Sequence, residues 1–209
     1  DYYDIINTQQ NNWILIGDVS GHGISAGLIM MMVQTAVRVI LLENPTISPS
    51  ELLVLINTLL RNNIKQLEED KYMTLAAYCL EKNGMFTFSG NHEKVMIYRS
   101  DKHKVDLIGS PGIWVGITDD IKDLMHEDRF SLHKDDVMIL YSDGVTEAKI
   151  FENNNDKKVT KENFGEDRLI ELLLEKGHRD PHRIRMSLIS LLNSFELCDD
   201  VSIVIVKKM

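Results

Sequence analysis

Aspartates that close apolar runs are the residues here most able to do chemistry, and three such sites recur with one local design. They are Asp18 in Gly17-Asp18-Val19-Ser20-Gly21-His22-Gly23, Asp143 in Tyr141-Ser142-Asp143-Gly144, and the pair Asp199-Asp200 before Val201. A carboxylate at a strand end stands at the rim of a rigid sheet, and an adjacent glycine lets an ion or a phosphate approach the backbone. Carboxylates that converge repel one another unless a cation lies between them. Hard oxygen donors without cysteine or paired histidines suit Mg2+ or Mn2+ rather than Zn2+. Each site alone also has a plainer reading, because Asp-Gly after a strand commonly makes a turn.

Two histidines lie near these runs. His22 could act as a general acid toward a leaving oxygen, since histidine delivers protons near neutral pH. It could equally begin the first helix and pack. His92, in Gly90-Asn91-His92, reads first as a loop residue beside a strand. Gly112 and Gly116 bracket a loop that needs close backbone approach and read as structural. Met30, Met31 and Met32 could form an adaptable partner surface or simply core.

The elements that must position these residues follow from periodicity. Apolar, β-branched runs at 13–16, 73–80, 95–98, 137–141 and 201–206 predict strands. Residues 81–88 predict a hairpin around Asn83-Gly84, whose tight turn needs positive φ angles. Helices are expected at 24–42, from Ser48 to Glu68, at 166–176 and at 181–194; Ser48-Pro49-Ser50-Glu51 is a capping box with proline at the first helical position. Residues 151–164, with three asparagines and mixed charge, read as a mobile surface loop. Helices and strands do not alternate as βαβ units would, so a layered α/β sandwich of mainly antiparallel strands fits better than a parallel sheet.

The chain has 209 residues, 44% of them hydrophobic and 26% charged, enough to bury a sizeable core. A net charge of −9 with no Lys/Arg-rich run argues against nucleic acid as a partner. Cys79 and Cys198 lie in apolar stretches and read as reduced core residues. The run 24–42 is apolar enough to be mistaken for a membrane span, but Gln34 and Arg38 favour a core helix. With no signal-like start, a cytoplasmic setting is expected, while the abrupt opening on Asp1-Tyr2-Tyr3-Asp4 reads as a cut from a longer chain.

In order, Asp1-Tyr2-Tyr3-Asp4, GDVSGHG at 17–23, Met73-Thr74-Leu75, Ser89-Gly90-Asn91-His92, Pro111-Gly112 with Gly116, YSDGVTEA at 141–148, Phe164-Gly165-Glu166-Asp167-Arg168-Leu169 and Asp199-Asp200-Val201-Ser202 resemble the SpoIIE/RsbU-like branch of PPM phosphatases. The resemblance spans almost the whole chain. It implies a single catalytic domain over 1–209 with an αββα sandwich, two mainly antiparallel sheets flanked by helices. It implies two Mn2+ or Mg2+ ions and attack of a metal-bridging water on phosphoserine or phosphothreonine.

By the same resemblance Asp18 matches the bridging ligand, Val19 offers its carbonyl, and Asp143 and Asp199 match the other principal ligands. Asp200 is the alternative to Asp199, and Asp4, with Asp1, matches an acidic pair holding metal-bound waters; Gly144 flanks Asp143. The implied substrate is a phosphorylated protein, a STAS-domain anti-anti-sigma factor in partner switching. A homodimer through the helices and an upstream sensor domain, through which the full-length protein could reach a membrane, are further expectations. The rival reading is a pseudophosphatase that keeps the fold as a binding module, and the three aspartates disfavour it.

Overall fold

The computed structural model describes residues 1–67, 70–154 and 157–209, by backbone alone at 67, 152–154 and 157–161. In chain order the elements are β1 (Tyr2–Asn7), β2 (Asn12–Val19), α1 (Ile24–Glu43), α2 (Pro49–Leu67), β3 (Met73–Leu80), β4 (Met85–Asn91), β5 (Val95–Arg99), β6 (Lys104–Ile108), β7 (Asp128–Ser131), β8 (Val137–Tyr141), α3 (Asp143–Thr146), β9 (Lys149–Asn154), β10 (Lys157–Asn163), α4 (Gly165–Lys176), α5 (Pro181–Leu192) and β11 (Ile203–Lys207). They fall into two units, Asp1–His92 with Ser110–Ser131, and Glu93–Gly109 with Leu132–Met209.

The first unit is an antiparallel sheet in the order β1-β2-β3-β4-β7 with α1 and α2 packed on one face. Alternate residues Trp13, Leu15 and Val19 of β2 and Leu75, Ala77 and Cys79 of β3 meet the helices, as the two-residue period of a strand requires. From α1 come Ala26, Ile29, Val33, Val37 and Leu41, one stripe at helical spacing. From α2 come Leu52, Leu53, Ile56, Leu60 and Ile64; each fully buried leucine contributes roughly 1.5–3 kcal/mol. The capping box forms as expected: the Ser48 amide donates to Glu51 Oε2 at 3.1 Å, and the Glu51 amide reaches Ser48 Oγ at 3.4 Å.

Among the described residues one helix, Ile24–Glu43, is long and apolar enough to cross a membrane. Its buried stripe belongs to the core of the first unit. Its other face leaves Leu28, Met31, Val39 and Leu42 exposed. A cleft of about 510 Å3 between α1 and α2 is lined by Leu28, Met31, Met32, Val39, Ile56 and Leu59, among others.

The second unit is an antiparallel sheet in the order β11-β8-β5-β6, with α4 and α5 supplying Leu169, Leu172, Leu173, Ile184 and Leu188 to its core. A buried ion cluster ties its strands together. Arg99 of β5 donates to Asp106 and to Asp136, each at 2.8 Å, and Asp136 also accepts the amides of Ser100 and His133 at 3.0 Å. Burial pushes the Asp136 carboxyl up, but those amides and the Arg99 guanidinium outweigh it and leave the group below its usual range.

Three expectations need correction, and a fourth falls partly outside the described residues. Residues 151–164 are not a loop: β9 and β10 pair as a hairpin with a register shift between Thr160 and Glu162, and 155 and 156 lie outside the described residues. The 81–88 turn closes with the Gly84 amide on the Glu81 carbonyl at 2.9 Å, and Gly84 alone takes positive φ (84°), so Asn83 need not. Cys198 is exposed rather than core, because the last strand starts only at Ile203 and Cys198 stands in the segment before it; Cys79 is buried, which pushes its thiol up to about 12. The helix expected to reach Glu68 is described to Leu67, and residues 68 and 69 lie outside the described residues.

Candidate active site

In the first unit, Asp18 and Val19 end β2, paired in register with Thr74 and Met73 of β3. The Asp18 amide donates to Thr74 Oγ1 at 3.0 Å, and the same hydroxyl reaches the Asp18 carbonyl at 3.3 Å. The Asp18 side chain remains 29% exposed, and its Oδ1 lies 3.2 Å from the Asp1 backbone nitrogen. Val19 is buried in the helix-side core. The following turn is clamped: the Ser20 amide bonds the Tyr72 carbonyl at 2.9 Å, the Tyr72 amide bonds Ser20 Oγ at 3.0 Å, and Lys71 Nζ donates to the Ser20 carbonyl at 3.0 Å.

His22 sits in that turn, exposed between Gly21 and Gly23, and α1 begins only at Ile24. It therefore does not pack as the first residue of the helix. Asp4 is buried on β1 opposite Leu15, three positions before Asp18 along β2. Both its oxygens are taken by Arg38, at 3.0 Å each from Nε and Nη2. Burial and the Asp4 charge push the Tyr2 hydroxyl well above its usual range, with Arg38 opposing. Gly112 lies against Gly90 and Met125, while the Gly116 amide donates to Asn57 Oδ1 at 2.7 Å; both glycines are structural, as their spacing suggests.

In the second unit, β8 runs into Ser142 and Asp143, the first residue of the short α3. The Ser142 amide donates to the Ser202 carbonyl at 3.0 Å, and the Ser202 amide returns a bond to Ser142 Oγ at 2.9 Å. This stitching holds the end of β8 beside the segment leading into β11. A β-carbon on Gly144 would lie 2.0 Å from the Asp200 carbonyl oxygen and 3.3 Å from that of Asp199, so only a glycine lets Asp143 stand beside this pair. Asp199 and Asp200 are both exposed, and Asp199 Oδ1 accepts the Asp200 amide at 2.8 Å.

Glu93, a half-buried residue that the sequence did not single out, reports the field around Asp143. Burial first, then the charges of Asp143, Glu166 and Glu147, hold its carboxyl above the usual range against the opposing Lys94. A concentration of negative charge that a cation would relieve, a donor set made only of oxygen, and the glycine cradle beside Asp199-Asp200 together fit Mg2+ or Mn2+. Thr74 and His92 were also missed as a pair, although both stand in the motif runs: Thr74 Oγ1 lies 2.9 Å from His92 Nδ1. Strand register, which motif spacing alone does not give, is what joins them.

The family model described as Stage II sporulation protein E (SpoIIE) matches residues 8–208. The phosphoserine phosphatase RsbU of Bacillus subtilis (strain 168) is 30% identical over 151 residues, covering 71% of this chain and 43% of RsbU, so the chain spans less than half of that relative's length. Among solved structures, the SiaA-PP2C domain of Pseudomonas aeruginosa superposes with a TM-score of 0.79 at 16% identity, over 100% of this chain and 80% of that one. The RsbU and RsbW domains of Rv1364c from Mycobacterium tuberculosis give a TM-score of 0.76 at 19% identity, over 100% and 55% of the two chains. At these identities the structures establish the fold, the class of helices and antiparallel sheets that PP2C phosphatase domains share.

Proposed function

Because the chain belongs to the SpoIIE family, in the SpoIIE/RsbU-like branch of PPM phosphatases, we propose that it is a metal-dependent protein serine/threonine phosphatase acting on a phosphorylated regulatory protein. The observation that carries this reading is the Gly144 cradle, which sets Asp143 beside Asp199 and Asp200 at the ends of two strands. By the family resemblance, the residues that would hold the metal are Asp18, through its side chain, Val19, through its carbonyl, Asp143 and Asp199, with Asp200 the alternative to Asp199. Magnesium is bound in the RsbX structure, which shares this fold at a TM-score of 0.67 and 11% identity over 99% of this chain and 85% of that one. A pair of Mn2+ or Mg2+ ions, when bound, would activate water for attack and neutralise charge on the phosphoryl oxygens.

The chain's own residues then bind and orient. Thr74 fixes the Asp18 peptide, and Ser142 with Ser202 fixes the approach of Asp143. As the seryl P–O bond breaks, the leaving oxygen needs a proton, and the exposed His22 is the general acid able to give it. Asp4, bonded to Arg38, serves the site at most through water and strand position.

The likeness to RsbU, a phosphoserine phosphatase, supports a phosphoserine-bearing protein as the substrate, and the family resemblance suggests a STAS-domain regulator in partner switching. Residues 1–209 act as one catalytic domain of a longer cytoplasmic protein, regulated by a sensor domain upstream. The apolar cleft between α1 and α2 favours a homodimer through these helices. Hydrolysis of a phosphoserine peptide and of para-nitrophenyl phosphate, with Mn2+ and with excess chelator, tests the activity. Turnover that survives chelation overturns the metal dependence, and no turnover with any divalent ion leaves the binding-module reading.

A further inference from the structure

Three side chains line up across three strands of the first unit. Asp18 of β2 is in register with Thr74 of β3, and one step beyond the Leu75–Asn91 pair the register of β3 with β4 sets Thr74 opposite His92. Residues opposite one another in an antiparallel sheet share a face. Here it is the face turned from the helices, because the alternating residues Val19, Leu75 and Ala77 belong to the helix-side core.

One hydroxyl makes three contacts in this row. Thr74 Oγ1 accepts the Asp18 amide at 3.0 Å, lies 3.3 Å from the Asp18 carbonyl as its donor, and lies 2.9 Å from His92 Nδ1. A hydroxyl has one proton and two lone pairs. The Asp18 amide occupies one lone pair; when the proton goes to the Asp18 carbonyl, the second lone pair is open to a ring N–H, whereas an unprotonated Nδ1 would compete with that carbonyl for the single proton.

We propose that His92, as the Nδ1–H tautomer, is a positioning residue for the Asp18 ligand turn, acting through Thr74. Held by the ring, the hydroxyl grips the Asp18 residue at its N–H and its C=O at once. Those two bonds fix the backbone from which the carboxylate projects and the peptide that leads to the Val19 carbonyl. Partners that orient a ligand in this way typically change metal affinity 10–100-fold when lost. The inference rests on Asp18 being a metal ligand, as proposed above.

Ring-nitrogen NMR of the metal-free, 15N-labelled protein should show His92 protonated at Nδ1, and this readout involves neither metal nor activity. Calorimetric titration with Mn2+ should show Thr74→Val and His92→Phe weakened about 10–100-fold. Thr74→Ser, which keeps the hydroxyl, should stay within about threefold of the original chain, well short of that loss. Metal-free thermal midpoints, measured in parallel, separate lost positioning from lost folding; if Thr74→Val does not fold, His92→Phe against Thr74→Ser carries the comparison. An Nε2–H ring, or a folded Thr74→Val chain with undiminished Mn2+ affinity, overturns the proposal. Should the unsubstituted chain bind no Mn2+, the phosphatase reading fails instead, and the ring spectrum alone decides whether His92 donates to Thr74.

Discussion

Gly144 abuts Asp200 so tightly that a β-carbon on the glycine would fall 2.0 Å from the Asp200 carbonyl oxygen. The neighbour is backbone, which cannot swing aside as a side chain would. Gly144→Ala should therefore push the segment before β11 away from Asp143, with a stability loss of about 1–3 kcal/mol typical of overpacking. Mn2+ affinity should fall with it. Urea unfolding and calorimetric titration check the two effects, and unchanged affinity would mean that Asp199-Asp200 does not serve the site.

Asp18→Asn and Asp143→Asn remove the charge of the two proposed ligands without removing volume. Turnover of a phosphoserine peptide should drop by more than about 100-fold, beyond the 10–100-fold expected of a ligand's outer partners. Far-UV circular dichroism should show the fold retained. A rate near that of the original chain in either variant would reject the assigned ligand.

Asp136 is 1% exposed in its ion pair with Arg99, which is 15% exposed. Removing the carboxylate in Asp136→Ala takes the more buried of two carboxylate partners from the guanidinium and should cost about 3–5 kcal/mol, as for other broken buried pairs. The pH dependence has a definite sign. The folded Asp136 carboxyl lies below its ordinary value, so its contribution is present above the unfolded pKa of about 3.9 and is lost as pH falls through the lower folded value. Denaturant midpoints of the two chains should accordingly converge below pH 4 and stay apart at pH 7.

The helix pair offers a test of regulation that the burial pattern sharpens. Val33 and Ile56 are in the core, so their substitution confounds packing with control, whereas Met31 and Leu55 are 58% and 46% exposed. Met31→Glu and Leu55→Glu should change stability by no more than about 0.5 kcal/mol, as surface substitutions do. If α1 and α2 couple a partner copy to the Asp18 turn, both variants should lower activity and Mn2+ affinity together and shift sedimentation toward monomer. Metal affinity that changes only in proportion to stability would reject the coupling.

Much of this was legible in the sequence because the signals were local. The capping box at Ser48-Glu51 and the strands around Trp13, Leu75 and Ile139 carry their periodicity in neighbouring residues. Asp18 and Asp143 announced themselves by standing at the ends of such runs. What stayed hidden depends on register or on long-range charge. The Arg38–Asp4 bond joins residues 34 positions apart, and Thr74 becomes the partner of Asp18 only once β2 and β3 align. Lys149–Asn154 and Lys157–Asn163 are polar enough to read as loop, because a two-stranded hairpin needs no alternating apolar face to pair its backbone.

The apolar helix Ile24–Glu43 also matters while the chain is being made. Its buried stripe packs against β1 and β2 and is covered by α2, which leaves the ribosome later and is described to Leu67. Until then Ile29, Val33, Val37 and Leu41 have only β1 and β2 to shelter them, on a segment whose mean hydropathy of 1.8 passes for a membrane span. Arg38 and its partner Asp4, which is synthesised first, supply an early bond able to draw α1 back onto the nascent sheet. A nascent chain that has made α1 but not yet α2 is thus the species most prone to aggregate, and the burden on chaperones falls before α2 is complete.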